Sequence, residues 1–180
     1  MNQKVRPMFT GWDNFYFLIG SAAGSLIGLL FVVATLTTGF ERSQALRGAS
    51  LYMTPTAVHF AAVLCMSAAA LAPRVPTSAT AAIFGLIGLV GLANAVRACI
   101  GITTYRPAAE PPHWSDFWMY GAVPAAIYLG LCAASLAIGA RAEWAPHGLA
   151  ALLLMLLLVG IRNAWDLVTW IAPMRKSDTT

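Results

Sequence analysis

Apolar positions along this chain gather in long unbroken runs, not in the short alternations of a water-soluble fold. Five runs stand out, at residues 13–37, 55–71, 80–102, 115–140 and 148–171. A hydrocarbon core of about 30 Å takes roughly 20 residues of helix to cross, and several of these runs reach that length. Inside a bilayer no water satisfies the backbone, so each crossing segment has to be helical. The pattern predicts an all-α membrane protein, a five-transmembrane-helix bundle forming a single integral membrane domain over residues 1–180.

The breaks between runs carry the expected punctuation. "APRVP" separates the second run from the third, and "YRPAAEPPHW" the third from the fourth. Thr54 before Pro55 reads as a helix N-cap followed by proline in the first turn. Ser115 before Asp116 reads as a cap with an acid beside it. The stretch "ERSQALRGASLY" at residues 41–52 is either a short amphipathic helix lying in the interface or a plain loop. The opening "MNQKVRPMF" looks like the start of a secretory signal. The apolar run behind it exceeds the roughly 7–15 residues of a signal core, so it reads as a retained first helix.

Polar and small residues inside the runs are the informative exceptions. "GSAAGSLIG" sets Gly20, Gly24 and Gly28 four residues apart, beside Ser21 and Ser25. Residues four apart share a helix face, so this is a helix-packing or oligomer face on which another backbone approaches closely. The fourth run has a softer version in Gly121, Ala125, Ala126 and Gly130, with Pro124 expected to kink the helix or free a carbonyl.

Two heptapeptides echo each other. "GLANAVR" at residues 91–97 and "GIRNAWD" at 160–166 both read Gly, apolar, any, Asn, Ala, any, charge. Five crossings make the third and fifth parallel, which puts Arg97 and Asp166 at matching depth. A lone charge at the bilayer centre costs at least ~2.5 kcal/mol, so an Arg97–Asp166 pair in the interior is expected, supported by Asn94 and Asn163. Arg162 competes, since it stands four residues before Asp166 on the same helix. Asn94, Arg97, Arg162, Asn163 and Asp166 are therefore the candidate polar cluster, or the wall of a solute path.

Composition narrows the function. Only 10% of residues are charged, against about 25% in soluble domains. The net charge of +4 is scattered with no basic run, so a nucleic-acid partner is not expected. Cys65, Cys99 and Cys132 fall in separate runs and read as small buried hydrophobes. His59 lies about one turn into the second run, whereas His113 and His147 fall in loops, so no bis-histidine haem site is expected. "WDNFYF" and "WSDFWM" both open a run, and interfacial aromatic chemistry explains them. Asp166 is the one acid well inside a run, and no phosphate loop, zinc motif or nucleophile elbow is present. No enzyme, catalytic residue, metal or cofactor is expected. Basic residues split four to five between the two sides, which leaves orientation open.

Two stretches, residues 12–36 and "GIRNAWDLV" at 160–168, resemble small bacterial inner-membrane proteins, some named modulator of a membrane-bound AAA+ protease. In that group an acid follows the Ala-Trp pair further along the helix, where this chain has Trp170. The resemblance implies a helical bundle in the bacterial plasma membrane and supplies no catalytic residue. The expected function is a non-enzymatic membrane subunit or regulator, assembling in the bilayer with itself or with partner membrane proteins. The alternative is a small oligomeric channel or transporter for an ion or small anionic solute.

Overall fold

The computed structural model describes residues 8–36, 53–104 and 114–177, with side chains of the final helix placed as far as Thr169. The amphipathic stretch at 41–52 and His113 lie outside the described residues. Five helices carry the fold: α1 (Asp13–Leu36), α2 (Thr54–Leu71), α3 (Thr77–Thr104), α4 (Trp114–Gly139) and α5 (Ala145–Ser177). All five are long and apolar enough to cross a membrane. The protein is a multi-pass, all-helical membrane bundle.

Several boundaries differ from the sequence reading. α2 already includes Thr54, and its cap position is Met53, with no side-chain cap bond. Ser115 sits inside the first turn of α4, because that helix begins at Trp114. α5 starts at Ala145, which brings His147 onto a helix instead of a loop.

The helices are joined by short turns at the end that also holds the start of α1. The turn after α4 closes with Arg141 N–H donating to Ile138 O and Ala142 N–H to Ala137 O, both 2.9 Å. Arg141 adopts the left-handed φ of 58°, and Arg74 in the α2–α3 turn has φ 64°. Glycine usually fills such a position; here both carry exposed arginines at one end of the bundle.

α1 packs on α2 and α5, α3 on α2 and α4, and α2 and α5 also meet each other. Lipid tails give apolar faces no reason to leave them, so close backbone approach has to hold membrane helices together. α3 and α4 show this most clearly. A Cβ at Gly88 would meet Cys132, and one at Gly121 would meet Cys99. Gly85 faces Ser135, whose hydroxyl donates to Ala81 O at 2.8 Å. The residue numbers of each facing pair sum to nearly the same value, the signature of an antiparallel register held along both helices. The main core follows, with Tyr16, Phe60, Phe84, Tyr128, Leu131 and Leu153 fully enclosed, and Val33 and Leu167 form a small separate cluster.

Candidate functional site

The polar residues singled out from the sequence do not converge. Asn94 donates to Val90 O of its own helix at 3.0 Å. Arg97 is exposed on α3 and makes no ion pair among the described residues. Asp166 pairs with Arg162 at 3.0 Å, one turn away on α5, each side chain 40% exposed. The expected Arg97–Asp166 pair in a dry interior is therefore corrected. α3 and α5 each pack on α2 and α4, and not on each other. An i,i+4 neighbour also satisfies the carboxylate with no contact across helices.

Depth removes the remaining reason for a buried pair. At about 1.5 Å per residue, Arg162 lies ~26 Å and Asp166 ~32 Å beyond the start of α5. That is the far boundary of a ~30 Å core, beside Val33 near the end of α1 and Met53 at the start of α2. Long basic side chains reach headgroups from there. Exchanging the two charges (Arg97→Asp with Asp166→Arg) is accordingly expected to rescue nothing. Asp166→Asn alone should shift stability by no more than ~1 kcal/mol, as for other half-exposed ion pairs. Chemical unfolding in detergent checks both.

What the structure does bring together is a different set. His59 of α2 and Tyr128 of α4 face each other in the core, Nδ1 to hydroxyl at 3.0 Å. Their exposures are 1% and 0%. Measured from the helix ends on the α1-start side, His59, Gly91 and Tyr128 lie ~18, ~21 and ~17 Å deep at about 1.5 Å per residue. The pair thus sits just past the middle of the bilayer. Gly91 explains how Tyr128 fits, because a Cβ there would overlap the tyrosine ring. Gly160 does the same for Phe60, whose ring would be 2.6 Å from an added Cβ. Both glycines of the paired heptapeptides are therefore seats for aromatic rings of a neighbouring helix. The glycines, and not the charged ends, are what the two heptapeptides have in common in the fold.

His59 Nε2 has no hydrogen-bond partner among the described residues. If the tyrosine hydroxyl donates to Nδ1, Nε2 carries the proton; the other tautomer leaves Nε2 a bare acceptor. One imidazole is a single ligand where a structural metal takes four, so the pair is a proton-sharing contact and not a metal site. The only sequence signals for it were a lone histidine in one run and a tyrosine midway along another.

The third polar feature joins α4 and α5. Asn163, fully buried, donates from Nδ2 to Met119 O at 3.1 Å. The Tyr120 hydroxyl donates back to the Asn163 carbonyl oxygen at 3.1 Å. Of the five polar candidates, Asn163 is the one enclosed in the bundle.

The glycines of α1 divide. A Cβ at Gly20 would be 2.9 Å from Ser67 of α2, Gly24 approaches Leu64 at 4.0 Å, and Gly28 meets open space. Gly20 is thus spent on packing within the chain, while Ser21, Ser25 and Gly28 face outward. Cys65 is exposed and corrects the expectation of a buried thiol; Cys99 and Cys132 are half-buried.

Fold and site together define a packed, multi-pass helical membrane protein with a hydrogen-bonded interior. Compared with known proteins, the chain matches no family model, no curated protein and no solved structure.

Proposed function

We propose that the protein is a non-enzymatic subunit of the bacterial plasma membrane that assembles laterally with a second copy of itself or with a partner membrane protein. The observation that carries this reading is how four of the inward polar groups are used. Tyr16 donates to Pro146 O, His59 pairs with Tyr128, Ser135 donates to Ala81 O, and Asn163 donates to Met119 O. Each one ties two helices of the same chain together, as the interior of a packed scaffold does. A solute path instead leaves such groups turned towards a lumen.

With the interior committed to packing, the lateral surface is left for function. On α1 that surface includes the outward small residues Ser21, Ser25 and Gly28. Small residues facing outward allow the backbone approach that joins membrane helices. The resemblance to bacterial inner-membrane proteins supports the choice of membrane.

Purified protein in nanodiscs is expected to run as an oligomer by mass photometry, or to co-purify with a defined membrane partner. Gly28→Leu should reduce either association without lowering thermal stability. Proteoliposomes tested with a panel of ions and small anions should show no flux above empty vesicles. A monomer that conducts would overturn the reading and favour the channel alternative.

A further inference from the structure

Between Phe117 and Ala122, α4 winds as a π-helix. The N–H of Val123 donates to Trp118 O, five residues back. The next N–H in that pattern would serve Met119 O, but the next residue is Pro124, which has none. Asn163 of α5 supplies the missing donor at 3.1 Å. The Tyr120 hydroxyl, from the same π turn, returns a bond to the Asn163 carbonyl oxygen. Two bonds running in opposite directions thus clasp this turn to α5.

We propose that the amino-terminal half of α4, Trp114–Ala122, is a two-register element. The Asn163 clasp holds it in π winding, and opening the clasp lets it relax to α winding. A π turn carries an extra residue and is uncommon except where it serves a function. Losing that residue from the winding rotates everything before it by about 100° around the helix axis. Such a rotation carries the exposed Trp114 and Trp118 to new azimuths and lifts Gly121 away from Cys99, against which it packs.

The clasp also has a route to the surface. Arg162 Nη1 donates to Asn163 Oδ1 over a long 3.4 Å and pairs with Asp166 at 3.0 Å. A half-exposed ion pair at the bilayer boundary is therefore wired to the side chain that sets the register. A lipid headgroup or partner engaging that pair acts on α4 through Asn163.

Cys99 reports the register, and Cys132, further along the same α3–α4 contact, reports general loosening. The experiment is peptide-resolved alkylation of the full-length protein in detergent with a membrane-permeant maleimide. Asn163→Leu should raise the Cys99 rate roughly tenfold through local opening, with Cys132 unchanged. Adding Pro124→Ala gives α winding the N–H that Tyr120 O would otherwise lack and removes the proline ring, so Cys99 should stay at the raised rate or rise further. Should Asn163→Leu not fold, Tyr120→Phe, which removes the other bond of the clasp, is expected to raise Cys99 over Cys132 by a smaller factor. An unchanged Cys99, a parallel rise at both cysteines, or a return of Cys99 to the wild-type rate on adding Pro124→Ala would each overturn the proposal.

Discussion

Valine in place of Gly91 is expected to be among the most damaging single changes in the protein, at the upper end of the ~1–3 kcal/mol typical of overpacking a core. The added carbon would fall inside the ring of Tyr128, which is itself fully enclosed. The ring has no free space to turn into, because it is held between His59 and α3. α3 and α4 also keep one register along their length, through Gly85 on Ser135, Gly88 on Cys132 and Gly121 on Cys99. Separating them at Gly91 therefore strains contacts on either side of it.

Gly160→Val should behave alike through Phe60, which joins α5 to α2. A suppressor distinguishes overpacking from loss of backbone freedom. In a Phe60→Leu background the smaller side chain leaves room, so Gly160→Ala should cost much less there than in the wild type. Gly28→Ala supplies the contrast, since an added Cβ at Gly28 meets nothing, and it should leave unfolding unchanged. Thermal and denaturant unfolding in detergent measures all of these variants. Equal costs at Gly28 and Gly91 would mean the aromatic seats are not what those glycines provide.

The same glycines show which parts of the molecule the sequence could convey. The five crossings were legible because a helix in lipid is dictated by run length alone, whatever surrounds it. Pro124 was legible too: a missing N–H must free a carbonyl, and Asn163 receives it at Met119. The repeated Gly-x-x-Asn spacing was visible, yet its meaning was not. Parallel helices at equal depth suggested that Arg97 and Asp166 meet, and nothing local announced that α3 and α5 each pack on α2 and α4 instead of on each other. Partner choice depends on the order of helices around the bundle, which periodicity does not encode. His59 is legible in the sequence only as a lone histidine, for a related reason. Its partner is a tyrosine 69 residues away, and only the packing of both α2 and α4 on α3 and α5 brings the two together.

That pair yields the second large effect. Tyr128→Phe keeps the ring seated on Gly91 and removes only the hydroxyl, leaving His59 buried without its Nδ1 partner. Stranding a buried polar group costs about 1–3 kcal/mol. His59→Leu leaves the tyrosine hydroxyl stranded in turn, at a similar cost. The double variant removes both groups at once, so its cost should fall well below the sum of the two. Hydrogen bonds between membrane helices average ~0.6 kcal/mol and reach ~1.7 kcal/mol in such cycles. Complete enclosure near mid-bilayer places this one towards the upper value, because neither group has water or a headgroup within reach. Additive costs would show that the two side chains stand close without depending on each other, and the bundle would then owe its centre to ring packing alone. A strong coupling makes the contact a specificity device: it pairs α2 with α4 in one rotational setting, which apolar packing in lipid leaves undetermined.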